Sequence, residues 1–415
     1  MTENYDIIVV GGGASGMAAS ITSAERGQRT LLLEKSDRLG RKILASGNGR
    51  CNLMNTGPLK YYGNAQFAKA VFNSCSIMDL SGFFRRYGLL IKEEKEGRVY
   101  PVTLKSVSVL DTLRNAMAIN HVSVRLHTEL KDVYKTNSSF ICRTSEGKEY
   151  ISERLIICTG GAAQKKLGGS YDGYEYLQSF GHHTEQVFPS LVPVVTDRKS
   201  ISGLSGIRVR CGISLKKGEI CLHKESGEVL FTDYGLSGIC VMQCSRFISG
   251  HGLHFELDFF SSVFEDPDEA LEEITGRRAK FAQFSPVVLL DGILLPKLSY
   301  AVLKQAGIAL RGEQAGSLSD EDLKKIVWTA YRYRADVDST KSFDEAQVTA
   351  GGVSCDEFDP RTMESRIVKG LFAAGEVLDV DGDCGGYNLM FAFASGLIAG
   401  GFISSSPSVQ EESSS

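Results

Sequence analysis

The sequence predicts an α/β protein in which a Rossmann-like dinucleotide-binding domain is interrupted by an inserted β-barrel-like plus helical domain. Three observations carry this prediction. A buried strand, Asp6–Val10, runs into the glycine pattern Gly11-x-Gly13-x-x-Gly16 and a helix of small residues. A second strand ends in Glu34, at the spacing of roughly 20 residues that is typical of such sites. From Val192 onward, short alternating strands replace the alternation of helix and strand.

Each residue type in the first turn has a physical reason to be there. Gly11 permits the tight turn, Gly13 lets backbone N–H groups approach a pyrophosphate, and Gly16 lets the helix pack closely on the strand. Glu34 is placed to bind ribose hydroxyls, and an acid there argues against a 2′-phosphate. An ordinary glycine-rich turn would not explain Glu34. We therefore predict a dinucleotide site that also includes Ala14, Ser15 and Lys35.

A second polar stretch, residues 38–52, has no apolar periodicity and is predicted to be a loop. Its glycines, amides and basic side chains offer many hydrogen-bond donors to phosphate oxygens and to the edge of a planar ring. A solvated basic loop is the alternative, but it would not need so many glycines. The candidate cofactor-binding residues here are Arg41, Lys42, Ser46, Gly47, Asn48, Gly49, Arg50, Cys51 and Asn52.

Composition limits the class of protein. A length of 415 residues suggests two or three domains, and a net charge of −4 gives no general reason to expect a nucleic-acid partner. Met1 leads directly into the first strand, so we expect no signal peptide and a cytoplasmic location. The apolar run Leu389–Ile403 contains several glycines, and we interpret it as a buried helix and expect no membrane span.

The cysteines and histidines do not form a recognisable reactive site. Ten cysteines are scattered without a Cys-x-x-Cys pair, which argues against a dithiol–disulfide reductase and favours buried thiols in a reducing cytoplasm. His251 and His254 have no acid or cysteine nearby in the sequence, so we predict no metal site.

Several motifs together resemble a known family, the bacterial BaiN-type predicted flavoproteins, which are also labelled aminoacetone oxidase-like. The resemblance spans nearly the whole chain. It departs locally at residues 232–239, where Thr-Asp-Tyr-Gly-Leu-Ser-Gly-Ile replaces the expected Thr-His-x-Gly-Leu-Ser-Gly-Pro, so substrate identity is not carried over. The matching segments are Gly11–Gly16, Gly40–Lys42, Ser46–Asn52, Gly97–Pro101, Gly227–Thr232, Gly235–Gly238, Val348–Gly352, Gly375–Asp379 and Gly385–Leu389.

The resemblance implies a glutathione-reductase-type flavoprotein that binds FAD without a covalent link. The backbone of Val133 would then contact adenine, and the turn Thr159-Gly160-Gly161 would close over the dinucleotide. Gly375 and Glu376 would hold the ribityl and phosphate region. The last helix would begin beside the pyrimidine edge of the flavin, with Gly385, Gly386, Tyr387, Asn388 and Leu389 at its start.

The remaining elements follow from periodicity. Residues 64–90 are predicted to be helical with one buried face, and Leu104–Met117 is a second helix. Alternating or apolar runs predict strands at 122–126, 130–134, 140–144 and 155–161. Strand-turn pieces at 347–353 and 370–376 are expected to complete the sheet.

The insertion is predicted to span 192–345, to cover the cofactor and to shape a substrate cavity. Its β-rich part (192–262) includes separate strands at 219–223 and 227–231. Its helical part (263–340) contains helices at 267–281, 294–306 and 319–333. The flanking segments 1–191 and 346–404 form the FAD-binding domain, and residues 405–415 are expected to be a disordered tail.

The predicted chemistry is hydride transfer by flavin to a conjugated C=C or carbonyl group of a small molecule. Because no dedicated nicotinamide domain is visible, NAD(P)H would visit the flavin transiently. The resemblance makes bile-acid or steroid intermediates candidate substrates, and it gives four polar catalytic candidates near the ring: Tyr100, Arg98, Arg50 and Tyr387.

Two alternatives remain open. An amine or amino-ketone oxidase would use O₂ and produce peroxide. A tRNA-binding or tRNA-modifying flavoprotein would need a basic face, for which Arg208-Val-Arg210 and Lys216-Lys217 are thin support. The sequence predicts no oligomeric state.

Overall fold

The structure, a computed structural model, describes residues 3–403 and forms two compact units. The first unit combines residues 3–188 with 347–403, and the second runs from Pro189 to Ala346, so the strand Phe188–Ser190 crosses the boundary. The sequence predicts the insertion at 192–345. Residue 404 and the predicted disordered tail at 405–415 lie outside the described residues.

The N-terminal part of the first unit alternates strands and helices. In chain order its elements are β1 (Glu3–Val10), α1 (Ala14–Glu25), β2 (Thr30–Leu33), α2 (Arg41–Ala45), β3 (Met54–Asn55), β4 (Tyr61–Gly63), α3 (Ala65–Ser74), α4 (Ile77–Arg86), β5 (Ile91–Glu93), β6 (Arg98–Pro101), α5 (Ser106–Ile119), β7 (Ser123–Arg125), β8 (Leu130–Lys135), β9 (Phe140–Thr144), β10 (Glu149–Ile157), α6 (Asp172–Ser179) and β11 (Phe188–Ser190).

The second unit supplies the next elements and the chain then returns to the first. The elements of the second unit are β12 (Val194–Thr196), α7 (Arg198–Ile201), β13 (Arg208–Lys217), β14 (Ile220–Phe231), β15 (Gly235–Ser237), α8 (Ile239–Ser245), β16 (Leu253–Asp258), α9 (Pro267–Lys280), α10 (Pro296–Gln305), α11 (Asp320–Tyr331) and β17 (Tyr333–Thr340). The returning segment contributes β18 (Val348–Ala350), β19 (Leu371–Ala373), β20 (Val380–Gly382) and α12 (Tyr387–Ala399).

A seven-stranded sheet organises the first unit, with the order β7-β2-β1-β10-β9-β8 and β19 paired to β10. The pairs β1–β2, β1–β10, β2–β7 and β10–β19 are parallel, whereas β9 runs antiparallel to β10. The core residues of β1, from Ile7 to Val10, are buried, as expected for a strand with helices on both faces. The predicted Rossmann-like fold is confirmed.

Helices α1 and α12 pack through very close backbone contacts. A Cβ on Gly396 would stand 2.3 Å from the carbonyl oxygen of Ser15, and one on Gly400 would stand 2.6 Å from that of Ala19. Only glycine at these two positions lets the helices approach so closely. The packing joins the glycine-rich N-terminal turn to a helix from the other end of the chain.

The second unit contains a closed barrel with the strand path β12-β15-β14-β13-β16-β17. Its neighbouring strands are antiparallel, and buried side chains alternate along them, as at Ile213 and Leu215 or Phe255 and Leu257. These large side chains fill the barrel core. Helices α9, α10 and α11 add a helical layer whose buried residues belong to the same apolar cluster. The predicted barrel-like and helical character of the insertion is confirmed.

Several element boundaries differ from the sequence prediction. The predicted helix at 64–90 is two helices, because Ser76 and Asp79 form a capping box that starts α4. The predicted loop at 38–52 contains the short helix α2. Strands predicted at 219–223 and 227–231 are one strand, β14. A Cβ on Gly227 would lie 3.3 Å from the Cβ of Cys240, so this glycine makes room for α8 rather than for a turn.

Two further expectations about the later part of the chain are wrong. Residues 333–340, placed in the helical part of the insertion, form β17, where Tyr333 and Ala335 point into the core. Of the two pieces expected to complete the main sheet, β19 joins it, but β18 does not. Within residues 3–403, no helix has the length and hydropathy needed to cross a bilayer.

Candidate functional site

The first turn has the geometry of an anion-binding helix start. Gly11 has φ +105°, and a Cβ on Gly16 would stand 1.8 Å from the carbonyl oxygen of Gly11. A Cβ on Gly13 would meet nothing within 4 Å. Gly13 is also the N-cap of α1 and provides no side-chain cap, which leaves the first N–H groups of the helix free for a ligand. Ala14 and Ser15 form the first turn of this helix.

Glu34 links the end of β2 to the glycine turn. Its Oε2 accepts the N–H of Gly12 at 2.7 Å, and its Oε1 accepts the N–H of Ser36 at 2.7 Å. Both bonds are charge-assisted and fix the carboxylate beside the start of α1. A dinucleotide bound at the start of α1 would therefore bring a ribose hydroxyl close to this carboxylate.

A second cluster joins three distant segments of the first unit. Lys42 Nζ lies 3.2 Å from Glu376 Oε2, and both side chains are partly buried. Glu376 Oε1 accepts the N–H of Thr349 at 2.8 Å, and the Thr349 hydroxyl accepts the N–H of Ala163 at 2.9 Å. A Cβ on Gly161 would lie 2.8 Å from Glu376 Oε1. The polar loop, the 159–161 turn and the 375–376 turn thus meet as expected for one site.

Gly375 ties this cluster to the first helix. A Cβ on Gly375 would stand 2.6 Å from the hydroxyl oxygen of Ser15, and the backbone has φ +81°. The neighbouring turn at Gly160 also has a positive φ, +75°, and a Cβ there would lie 3.8 Å from Lys42 Nζ. Backbone turns and charged side chains from the N-terminal and C-terminal parts of the first unit therefore lie together near the start of α1.

The start of α12 faces the polar loop. Gly386 is its N-cap, with φ +108° and no side-chain cap. A Cβ on Gly386 would stand 2.4 Å from the carbonyl oxygen of Met54 and 2.8 Å from Asn52 Oδ1. Asn52 Oδ1 is buried and has no hydrogen-bond partner among residues 3–403. Asn55 Nδ2 donates to the carbonyl of Gly385 at 2.9 Å, and this bond holds the start of α12 against the polar loop.

Arg50 and Tyr100 form a pair on the same side of the loop. The Arg50 guanidinium lies 4.5 Å above the centre of the Tyr100 ring, and Arg50 also pairs with Glu94 at 2.8 Å. A Cβ on Gly47 would lie 3.8 Å from the Tyr100 ring. In residues 3–403 the Tyr100 hydroxyl makes no hydrogen bond, although the side chain is buried.

The other two catalytic candidates are already engaged. The Tyr387 hydroxyl donates to the carbonyl of Pro58 at 3.0 Å, and burial raises the pKa of this hydroxyl. Arg98 pairs with Glu96 at 2.6 Å, and its Nε would be 3.5 Å from a Cβ on Gly385. Tyr387 is thus a buried packing residue at the base of α12, whereas Arg98 borders the Gly385 turn.

Most other predicted site residues have local structural partners. Lys35 pairs with Asp172 at 2.8 Å, and Arg41 donates to the carbonyl of Lys166 at 2.6 Å. Asn388 exchanges hydrogen bonds with Gly382, both 2.8 Å long. Positive φ values at Gly47, Asn48, Gly49 and Cys51 coil the loop, and Ser46 donates to the carbonyl of Ile43. Val133 lies on β8 at one edge of the main sheet, Thr159 follows β10, and Leu389 lies in the first turn of α12.

These residues fit a dinucleotide cofactor. Two long helices begin at glycines without side-chain caps, and the absence of a side chain at Gly13 leaves open space beside the backbone. The buried oxygen of Asn52 has no hydrogen-bond partner within the described chain. A pyrophosphate at α1 and a polar ring edge at Asn52 would satisfy these groups. Residues 3–403 contain no group of three or more His, Cys, Asp or Glu side chains arranged to hold a metal ion.

Residues 5–402 match the family described as HI0933-like protein Rossmann domain. The chain belongs to this family. It is 32% identical over 403 residues to a 3-dehydro-bile acid delta(4,6)-reductase of Clostridium scindens, with 94% of this chain and 97% of the relative covered. It is 30% identical over 399 residues to a ribosomal RNA dihydrouridine synthase of Escherichia coli, with 95% and 96% covered. This HI0933-like protein is an FAD-dependent oxidoreductase.

A solved structure also aligns with this HI0933-like chain. The 3-ketosteroid-delta4-(5alpha)-dehydrogenase of Rhodococcus jostii, in complex with 4-androstene-3,17-dione, has a TM-score of 0.47 and 15% identity, with 96% of each chain covered.

Sequence reasoning missed several residues that build the site. Thr349 lies in a motif that carried the resemblance, yet the motif gave it no role. Asn55 and Glu94 carried no sequence signal, because their importance depends on pairing between short strands β3, β5 and β6. Their partners, Gly385 and Arg50, were among the predicted residues.

Proposed function

We propose that this protein reduces a C=C double bond conjugated with a carbonyl group. The observation that carries the proposal is the near-complete coverage of two relatives whose names describe related chemistry. In chemical terms, a delta(4,6)-reductase of a 3-dehydro bile acid saturates a double bond conjugated with a ketone. Formation of dihydrouridine saturates the double bond conjugated with a uracil carbonyl. The two substrates differ, but the reaction class is shared.

The residues of this chain would hold FAD and supply a proton. Bound FAD supplies the hydride equivalent, which would add to the β-carbon of the conjugated system. The free N–H groups at the start of α1 would hold the pyrophosphate, and Glu34 the ribose. The uncapped start of α12 offers N–H donors where negative charge gathers on a reduced ring.

Tyr100 is the proton donor in this proposal. Its hydroxyl makes no hydrogen bond within residues 3–403, whereas the hydroxyl of Tyr387 is used by Pro58. The Arg50 cation lies above the Tyr100 ring and would stabilise the phenolate that remains after the proton moves to the α-carbon. Glu94 holds Arg50 in this position. Hydride and proton together complete the saturation of one double bond.

NAD(P)H is the proposed reductant, and a direct test is anaerobic stopped-flow absorbance of the FAD-loaded protein. NADH and NADPH are added separately, and we expect loss of the oxidised flavin band near about 450 nm. A conjugated enone, or a uridine-containing RNA, should then restore the band. If neither nucleotide bleaches the flavin while an amine does so and releases peroxide in air, the protein is an oxidase and the proposal fails.

The role of Tyr100 is tested by separating the two half-reactions. Tyr100→Phe should leave reduction by NAD(P)H unchanged and slow reoxidation by the unsaturated substrate roughly 10²–10⁴-fold. Tyr387→Phe is the matched control, since among residues 3–403 its hydroxyl bonds only the carbonyl of Pro58, and its loss should leave both rates similar. Equal reoxidation rates for the wild type and Tyr100→Phe would show that Tyr100 is not the proton donor.

A further inference from the structure

The second unit has an uneven distribution of charge. Over residues 189–346 the sequence has 19 Lys and Arg against 22 Asp and Glu. Two stretches within it, 292–312 and 323–335, contain seven Lys or Arg and no Asp or Glu. These stretches carry α10 and the part of α11 that follows its acidic first turn, Asp320–Asp322. The modest net charge of the chain therefore conceals a local basic region.

The cations on these helices share their exposed faces with two aromatic rings. Along α10 the spacing i, i+3, i+7 places Lys297, Tyr300 and Lys304 on one face. Along α11 the spacing i, i+4, i+8 aligns Lys324, Trp328 and Arg332, with Arg332 at the C-cap. The opposite sides are buried in the apolar core. We call these six residues the basic face.

Helix α10 packs against α11, and a side-chain clamp joins its last residue to the start of β17, the strand that follows α11. Gln305, the last residue of α10, donates to the carbonyl of Arg334 at 2.8 Å and accepts its N–H at 2.8 Å. Tyr300 precedes Gln305 by about one and a half helical turns, and Trp328 lies in the last turn of α11, shortly before Arg334 in the sequence. The two rings therefore belong to one region of the second unit.

The groups of the basic face are available to a partner. Tyr300 is 51% exposed and Trp328 is 49% exposed, which is unusual for rings of this size. The guanidinium of Arg332 lies 5.2 Å from the centre of the Trp328 ring. Within residues 3–403, Lys297, Lys304, Lys324 and Arg332 form no ion pair. By contrast, Arg208 pairs with Glu228, and Lys216 with Glu256.

We propose that the basic face docks a single-stranded segment of RNA. Exposed tryptophan and tyrosine rings offer surfaces on which bases stack, and unpaired lysines neutralise the backbone phosphates. An arginine stacked on a ring adds a planar cation that also favours bases. An acidic peptide would use the cations but leave both rings without a partner. The docking does not depend on the flavin chemistry.

The single tryptophan of the chain allows a direct measurement. FAD-loaded, oxidised protein is titrated with a 12-nucleotide oligouridylate at low salt while Trp328 emission is recorded. Stacking of a base on this ring should quench the emission. The logarithm of the binding constant should fall with the logarithm of salt concentration with a slope of roughly −2 to −3, since three to four phosphates would be neutralised. A glutamate peptide of equal charge should bind much more weakly.

Variants locate the binding by polarisation of a rhodamine-labelled oligouridylate. Trp328→Leu should weaken binding roughly tenfold, and the triple variant Lys297→Gln, Lys304→Gln, Lys324→Gln should reduce the salt slope by about 2. The matched control carries Lys199→Gln, Lys217→Gln and Lys224→Gln, which are exposed cations of the same unit. The proposal is overturned if the RNA does not bind, if the peptide binds as tightly, or if the basic-face variants bind like the control. Flavin reduction by NAD(P)H, measured separately, reports only on the proposed reaction.

Discussion

Two glycines of the first turn should respond to the same substitution in opposite ways. A Cβ on Gly16 would stand 1.8 Å from the carbonyl oxygen of Gly11, well inside contact distance, so Gly16→Ala must displace α1 from β1. Such overpacking costs about 1–3 kcal/mol or more in the free energy of unfolding. Gly13 has φ −83° and an open Cβ direction, so Gly13→Ala should leave the protein without FAD as stable as before, or more stable by about 0.4–1 kcal/mol.

The cofactor separates the two variants further. If the pyrophosphate of FAD occupies the open space at Gly13, the new methyl group of Gly13→Ala stands in its place, and FAD affinity should fall at least 100-fold, or about 2.7 kcal/mol. Melting curves of FAD-free protein by circular dichroism, and FAD titration by quenching of flavin fluorescence, measure the two effects separately. A Gly13→Ala variant that binds FAD with the affinity of the wild type would refute this placement of the pyrophosphate.

Three other predictions concern charge and thiols. Glu34→Gln replaces one of two backbone-bonded carboxylate oxygens with an amide, so the FAD-free protein should lose about 2–3 kcal/mol of stability, while the exposed control Glu129→Gln should melt like the wild type. Burial lowers the pKa of His182 below 6.5 despite its bond to Glu357. Because the unfolded chain then binds a proton more readily than the folded protein, the contribution of His182 to stability should be complete above about pH 6.5 and decrease as the pH falls. The melting temperature of a His182→Gln variant should therefore change less between pH 5 and pH 7 than that of the wild type. Burial raises the pKa of Cys51 to about 12, whereas Cys221 is exposed. A thiol-reactive disulfide reagent at neutral pH should therefore modify Cys221 rapidly and leave Cys51 unmodified. The rapid phase of the reaction should be absent in the Cys221→Ser variant.

The parts of the fold that sequence predicts well are those with a local physical signature. The β1 turn, α1 and the α11 cap at Ser319 depend on neighbouring residues, and the structure has them where the pattern indicates. The break between α3 and α4 was also local, since Ser76-x-x-Asp79 is a capping signal within an otherwise continuous apolar period. Periodicity alone concealed it.

What the sequence could not provide depends on distant partners. Gly227 resembles a turn residue, but it serves the approach of α8 from outside the strand. The separation of Tyr100 from Tyr387 as candidates required knowing that Pro58 accepts one hydroxyl and nothing in residues 3–403 accepts the other. Net charge sums over the whole chain, whereas the grouping of cations on α10 and α11 depends on the packing of the two helices.

The close packing of α1 on α12 has a consequence for how the protein is made. The residues of α1 leave the ribosome early, yet the backbone that covers Ser15 and Ala19 is translated after the whole second unit. At about 5–20 residues per second, the N-terminal segment waits on the order of half a minute for this partner. The second unit is continuous in sequence and can fold during that interval. FAD would accordingly bind late. A nascent chain that stalls within the second unit would expose apolar surface of the first unit, which chaperones would have to cover.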